Sequence, residues 1–528
     1  MNEIWEDSSF SVKKKLILPV AIKDLHNIES AEQLLCPKGT YLSFGLEGMT
    51  RFTGKGSYVI LDFGKELSGG IRILTRDVPE NYGKIRITLG ESLTEACSYI
   101  GYKNATNHHS PRDFEADLIN LSDLTFGQSG FRFARIELLT EEPVIIRSIY
   151  GVNTLPVFSR QGYLKTNDEL LNRIIETAGY TLQLCCQNGQ IWDGIKRDRL
   201  IWSGDLNPEI LTSLYMFGDN VNVPNSLSAL REFTPADEWM NWIPCYSAWW
   251  VLNLCDYCRF TGNTAFYEAN RDYAATIMKR FNSFVADDGT IDFQLDPEDF
   301  MLFFLDWPTY DTQDADVGAA SLILYTANRL LELEDNEDCR QLHKKLQPWL
   351  KKDAIHKQVR AFQILAGRRE GGDAEFLEEG CAKGMSTFMA YYILKADTIA
   401  GGKNQLAMIK EYFGGMLSRG ATTFWEDFDI AWLEGSGRID QLPAPGEKDI
   451  HGDYGAFCYQ GLRHSLCHGW ASGVLAFLYE YLLGVKLLPG GIHEVSPMAL
   501  GISQVEGSVP VPGKMLEVKI TDGEVTVL

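Results

Sequence analysis

Residues 166–188 read TNDELLNRIIETAGYTLQLCCQN. Thr166 and Glu169 stand at capping-box spacing, in which a hydroxyl caps an early helical N–H and an acid three residues on returns the bond. Leu170, Ile174, Ala178 and Leu182 then recur every fourth residue, the period of one buried helix face. The stretch predicts a helix start, and the texture of the chain changes there. Upstream, SYVILDFG (57–64), GIRILTR (70–76), KIRITLG (84–90), FRFARIELL (131–139) and VIIRSIYGV (144–152) are short β-branched runs separated by Gly, Pro, Asn and Asp. Such runs read as strands, and no useful helical period intervenes, so an N-terminal β-sandwich of jelly-roll type is expected. Within it YIGYKNATNHHSPRDFEAD (99–117) reads as a long polar loop. No carboxylate or Cys stands at ligand spacing, so His108 and His109 are taken as solvated.

Downstream, to about residue 485, the apolar patterns are long and helical, as in WWVLNLCDYCRFTG (249–262), AASLILYTANRLLELE (319–334) and WASGVLAFLYEYLLG (470–484). Serial helical hairpins buried on more than one face fit a toroid, an (α/α)6 barrel, better than a four-helix bundle. The last stretch, from LLPGG (487–491), returns to strands and turns. The expected organisation is a β-sandwich domain over 1–158, a helical barrel domain over 159–486 and a small β-cap over 487–528.

The chain of 528 residues is 45% hydrophobic and 23% charged, an ordinary globular balance. Its net charge of −22 excludes a general binder of nucleic acid or anionic membrane, which needs a basic face. The 11 cysteines show no zinc spacing and read as free thiols of a reducing compartment. MNEIWEDSSFSVKKKLILPVAIKDLHN (1–27) is a poor signal peptide, its apolar run being only LILPVAI. No run approaches the roughly 20 apolar residues of a membrane span. A cytoplasmic location is expected, no metal or other cofactor is implied, and a homodimer is one reading of an assembly the sequence leaves open.

One stretch stands out. DGIKRDRLIWSGD (193–205) holds three aspartates, three cations and a Trp. Asn207, Pro208 and Glu209 look like the start of the next helix, with Asn207 as its cap. The stretch then reads as a connection, with Gly194 and Gly204 as bend points. Asp193/Arg197 and Asp198/Trp202 are four apart, so a short helical turn would put each pair on one side. Carboxylates and an Arg fork bond hydroxyls, an aromatic face stacks on C–H bonds, and a protonated carboxyl can donate to a leaving oxygen: together these make a sugar site.

At these residues the chain resembles the bacterial α-L-rhamnosidases of glycoside hydrolase family 78. Their motif reads Asp-Cys-Pro-x-Arg-Asp-Glu-Arg-x-Gly-Trp-x-Gly-Asp, and Asp193, Arg197, Trp202, Gly204 and Asp205 match it. DFGKELSGGIRI (62–73), GATTFWEDF (420–428), SLCHGWASG (465–473) and LDWPTYD (305–311) resemble further family stretches in the same order, over about residues 55 to 515. The resemblance implies inverting hydrolysis releasing a terminal α-L-rhamnose or similar deoxy sugar from a short glycoside. Glu426 would be the general base. Asp193, Arg197, Asp205, Asp306 and His468 would bind hydroxyls, and Trp202 and Trp307 would pack on the ring. Trp239 and Trp242 are further substrate-binding candidates, although Asn241 stands where the family commonly has Asp.

The opening stretch departs from the family. Arg197-Asp198-Arg199 is one residue shorter than Arg-Asp-Glu-Arg. Counted back from Trp202, Asp198 takes the place of the acidic Glu; counted forward from Asp193, it takes that of a sugar-binding Asp. The backward count makes Asp198 the general acid. Two other readings stay open: a glycosidase or lyase of different sugar specificity, with Tyr310 or His468 as a lyase base, and a carbohydrate-binding chain without turnover.

Overall fold

The structure, a computed structural model, describes residues 12–528 except 43, 80, 81, 293–300, 302 and 499. The first eleven residues of the stretch 1–27, read as a poor signal peptide, therefore lie outside the described residues. The N-terminal part is one nine-stranded antiparallel sheet. Its strands are β1 (Val12–Ile17), β2 (Ala21–His26), β3 (Ile28–Glu29), β4 (Thr50–Phe52), β5 (Tyr58–Asp77), β6 (Gly83–Gly90), β7 (Asp113–Leu118), β8 (Asp123–Leu138) and β9 (Val144–Pro156).

Two expectations need correcting. The runs at 57–64 and 70–76 are a single strand, β5, which changes register between Asp62 and Leu67 and again near Gly69. Gly69 marks the bend: a Cβ there would stand 2.2 Å from the Val152 carbonyl oxygen. Because β5 continues through the bend and pairs with β2, β8 and β9 in turn, the sheet is continuous rather than two hydrogen-bonded halves. The polar loop also ends early, since Asp113–Leu118 pairs with β6 as an edge strand, fastened by a two-pronged Arg86–Asp113 ion pair at 2.7 and 2.8 Å.

A short helix α1 (Leu93–Ala96) follows β6, and the main helices begin at α2 (Glu169–Cys185). The buried stripe of α2 includes Ile174, Ala178 and Leu182. Its cap is Asp168, whose carboxylate accepts the Leu171 N–H at 2.9 Å. Thr166 is unavailable for that role because it ends a strand, β10 (Tyr163–Thr166), and bonds Asn172 instead.

The helices that follow are α3 (Leu206–Phe217), α4 (Asn222–Phe233), α5 (Pro244–Thr261), α6 (Thr264–Ser283), α7 (Ala315–Leu331), α8 (Glu337–Leu346), α9 (Lys357–Ala366), α10 (Asp373–Glu378), α11 (Ala390–Ala400), α12 (Gln405–Ser418) and α13 (Gly473–Phe477). Among them α3, α5, α7, α9, α11 and α13 pack each on the next, and α13 packs back on α3. α5 is buried on almost every side and carries Trp249 and Trp250 into the largest core. All-round burial matches its lack of a polar face. The C-terminal strands Gln504–Val511, Lys514–Thr521 and Glu524–Val527 pair in series, and β10 joins them through Gln504–Val511. Among the described residues no helix is long and apolar enough to cross a membrane.

A buried polar cluster joins the sheet to the helices. Lys196 Nζ lies 3.0 Å from Glu91 and 3.1 Å from Glu95, at the end of β6 and in α1. It also donates to the carbonyls of Leu462 and His464. Glu91 in turn accepts from Ser465 Oγ and the Leu466 N–H. Burial works against the Lys196 proton, but the two glutamates outweigh it and hold the ammonium above its ordinary range. Removing one partner of a buried pair strands the other charge. Lys196→Met is therefore expected to lower unfolding stability by about 3–5 kcal/mol, measured by urea denaturation of the purified protein.

Candidate active site

The charged stretch 193–205 is not helical; as expected it bends around Gly194, at 193 and 195–197, and turns around Gly204, at 203–205. Asp193 closes it: its N–H bonds the Leu200 carbonyl at 2.9 Å, and its Oδ1 accepts the Leu200 N–H at 3.0 Å. The reversal falls at Asp198 and Arg199, both in the left-handed region at φ +54° and +59°. Consecutive non-glycine residues there are strained by roughly 1–3 kcal/mol each and persist only where surroundings enforce them. Gly204 serves by its missing side chain, since a Cβ would meet the Tyr246 ring at 2.8 Å. The next helix starts at Leu206 with Asp205 at the cap position, not at Asn207. Asn207 instead lies buried and bonds Asn253 and Asp256. Pro208 still lies in the first turn, where its missing N–H costs nothing.

Two other segments meet this loop. Gly194 bridges to His468, and the Gly469 N–H donates to the Asp193 carbonyl at 2.6 Å. Glu426 is held from the backbone side: its N–H bonds the Ser465 carbonyl at 3.0 Å, and its carbonyl accepts from Thr387 Oγ1 and Trp470 Nε1. Trp425 beside it is plain core, as Glu426 is not. The Glu426 carboxylate accepts the Ser465 N–H at 3.0 Å on Oε2 and Arg197 Nη2 on Oε1. Arg197 Nη1 reaches Asp198 Oδ1 at 2.9 Å. One guanidinium thus spans both residues assigned to acid and base. His468 Nε2 stands 3.5 Å from Glu426 and 3.8 Å from each of Asp193 and Asp205.

These groups line a cavity of about 540 Å³. Trp202, Tyr246, Phe304, Trp307, Tyr459 and Trp470 line it with them. Trp202 and Tyr246 meet edge to face, Trp307 stacks with Phe457, and Arg197 lies 5.3 Å over the Tyr459 ring. Burial sets the proton affinities. It pushes the Asp193 carboxyl well above the usual range, helped by Asp198 and Asp205, and does the same to Asp205. It holds His468 well below its ordinary value, so the imidazole is neutral. Burial raises Glu426 too, but Arg197 opposes it.

Two expected residues lie elsewhere. Asp306 does not line the cavity; its carboxylate caps the turn that carries Trp307 and accepts from Ser386. Trp239 packs on Phe281 and under Arg280, 3.6 Å away, and faces a neighbouring cavity of about 370 Å³. Trp242, 81% exposed, and Asn241 stand on the rim the two cavities share. Asn241 ties that rim to the charged loop by accepting the Ser203 N–H at 3.0 Å. Tyr246, Phe304, Tyr459, Trp470 and Arg463 also line the site. Nothing in the sequence separates these side chains from core residues of the same pattern. His108 and His109 are exposed, as expected of solvated loop histidines, and His109 Nδ1 lies 3.0 Å from Asp198 Oδ1.

Among the described residues, two buried trios bring potential metal-binding atoms within 4.8 Å of one another. In Glu91, Glu95 and His451 the cationic place is taken by Lys196. Asp193, Asp205 and His468 face the cavity and equally suit hydroxyl groups.

No family model matches the sequence, and a search of curated proteins finds no significant match. Solved structures do match. A family GH78 rhamnosidase of Bacillus sp. GL1 aligns at TM-score 0.69 and 20% identity over 94% of this chain and 54% of that one. A rhamnosidase from Klebsiella oxytoca with rhamnose bound aligns at 0.68 and 20%, over 89% of this chain and 96% of that one. A Streptomyces avermitilis α-L-rhamnosidase complexed with L-rhamnose aligns at 0.68 and 14%, over 96% and 48%. The chain has the rhamnosidase fold. It spans about half the length of the Bacillus and Streptomyces enzymes and nearly all of the Klebsiella one.

The Arg197 fork makes a direct prediction. A cation beside a carboxylate lowers its proton affinity by roughly 1–3 pH units, so Arg197→Met should raise the Glu426 titration midpoint by about that much. Carbon-13 NMR of labelled glutamate carboxyls would read it, with Glu426→Gln for assignment. An unmoved midpoint would mean that Arg197 does not set the Glu426 charge.

Proposed function

We propose that the chain is an inverting exo-glycosidase that releases a terminal α-L-rhamnose, or a similar deoxy sugar, from short glycosides. The observation that carries this reading is the Arg197 fork, which pairs with Glu426 and Asp198 in an aromatic-walled cavity. The fold likeness to two rhamnosidases with rhamnose bound supports it. Glu426 would take a proton from a water attacking the anomeric carbon. Asp198 would give its proton to the glycosidic oxygen as the C–O bond breaks, leaving the electron pair on the departing alcohol. Neutral His468 and the proton-holding Asp193 and Asp205 can both donate to and accept from sugar hydroxyls. Trp202 and Trp307 offer flat faces for the ring carbons. Asp306 and Trp239 have no direct part in this reading.

On the same reading, the six helices in closed contact are the inner wall of an (α/α)6 barrel over 159–486, with a β-sandwich over 1–158 and a β-cap over 487–528. The eleven cysteines are all free, which supports a reducing, cytoplasmic setting. A second reading, sugar binding without turnover, draws on one observation: the stretch Arg197-Asp198-Arg199 lacks the acidic Glu of the motif it resembles.

A panel of aryl and alkyl glycosides followed by proton NMR separates the two. Turnover with inverted anomeric configuration supports hydrolysis, whereas binding without turnover supports the second reading. Glu426→Gln should cost at least about 10³-fold in kcat/KM, and Asp198→Asn roughly 10²–10⁴-fold on alkyl glycosides. Full activity of Asp198→Asn on an alkyl glycoside would remove Asp198 from the mechanism.

A further inference from the structure

The neighbouring cavity of about 370 Å³ adjoins the first at Trp202, Asn241 and Trp242. Its walls are mostly flat rings: Trp192, Phe233 and Trp239 line it together with the two shared tryptophans. Leu200, Phe233 and Trp242 belong to this lining although they are 52%, 83% and 81% exposed. Large apolar side chains gathered in water around a concavity mark a surface that a ligand covers.

Into this apolar setting the chain brings one guanidinium. Arg199 lines the second cavity, whereas its neighbour Asp198 lines the first. The reversal at these two left-handed residues thus turns one side chain to each cavity. The Arg199 guanidinium lies 4.9 Å over the Trp192 ring, which holds it by a cation–π contact. Its Nη1 reaches the Gln128 carbonyl at 3.4 Å, the one hydrogen bond of that side chain among the described residues. A guanidinium has five N–H donors, so most of this fork is open to a ligand.

Charge singles the residue out. The chain carries 71 acidic side chains against 49 basic ones, and the adjacent Arg197 holds two carboxylates. Burial lowers the proton affinity of Arg199, and no carboxylate opposes the effect. Glu238, the carboxylate on this lining, is exposed, and its field acts on Arg280. A half-buried arginine that faces a cavity with no carboxylate of its own is a place for an anion brought from outside, and its planar fork matches a carboxylate through two parallel bonds.

We propose that the second cavity binds the leaving group, and that Arg199 is a specificity-determining residue selecting an aromatic ring that bears a carboxylate. The ring stacks among the tryptophans, and the carboxylate accepts from the Arg199 fork. A sugar held by Asp193, Asp205 and His468 presents its glycosidic oxygen to Asp198, so the group beyond that oxygen is directed past Trp202 and Asn241 toward Arg199. That the ring is a leaving group rests on the hydrolase reading above; that the cavity binds it does not.

The test uses 4-hydroxyphenylacetate and its uncharged amide, 4-hydroxyphenylacetamide, which share one ring and one shape. Calorimetry on the wild-type chain should show the acid binding on the order of tenfold tighter than the amide, the worth of a charge-assisted bond at a partly open site. Arg199→Met, and Arg199→Gln as a second variant that keeps donors without the charge, should abolish this preference and leave amide binding within about twofold. No preference in the wild type overturns the proposal. So does an equal loss for acid and amide, which makes Arg199 part of the wall only. A preference that survives in Arg199→Met and vanishes in Arg463→Met moves the anion to the first cavity and also overturns it. Tighter binding of free glucuronate than of the aryl acid overturns the choice of an aromatic ring. Glycosides of the two phenols then test the leaving-group role, since the methylene keeps the charge from altering the leaving oxygen. kcat/KM should favour the acid by a similar factor and lose that preference in both Arg199 variants. A chain inactive on every glycoside that still binds the acid selectively defeats the hydrolase reading and leaves the carboxylate site standing.

Discussion

The buried ammonium of Lys196 is the constraint on which the site depends. It sits between Glu91 and Glu95 of the sheet region and takes the carbonyls of Leu462 and His464. Its backbone neighbour is Arg197, which reaches Glu426, and its own carbonyl takes Ser110 beside His109. Charges so far from water are tolerated only when paired and fully hydrogen-bonded. The cluster therefore cannot slide by a residue without stranding one of them. In this way three distant segments and the sheet acquire a common register at the floor of the cavity.

Above that floor burial raises the proton affinity of three cavity carboxylates, and their partners decide how far. Glu426 is raised against the opposing pull of the Arg197 guanidinium that touches it. Asp193 and Asp205, with no guanidinium in contact, are pushed well above the usual range. Carboxylates a few ångströms apart thus acquire different proton affinities from their partners, not from their own chemistry. Asp198 shares Arg197 with Glu426 and also meets His109 at the solvent edge.

Legibility in the sequence followed the range of the interaction. Helix faces such as Ile174, Ala178 and Leu182 were readable because their period is local. The Thr166 cap was misread by two residues because strand pairing with the C-terminal segment claims Thr166 first. The strand Asp113–Leu118 hid in a polar loop because an edge strand buries little. The charged loop stands out by composition and bends around both its glycines, but the reversal at Asp198 and Arg199, where the His109 contact falls, has no mark in the sequence. Asp306 was mistaken for a cavity residue because a capping carboxylate and a ligand-binding one look alike in one dimension.

By itself the sequence determined the order of β and helical regions, the helix faces, and the concentration of carboxylates, cations and a Trp at 193–205; the stretches 420–428 and 465–473 stand out only through the family resemblance. The first three follow from periodicity and from the chemistry of side chains, which are properties of neighbours along the chain. Only the tertiary structure decided which carboxylate meets Arg197, which aromatics face the cavity rather than the core, and that His109 reaches Asp198. Those contacts join residues up to 229 positions apart, and no local pattern encodes a distance that the fold alone closes.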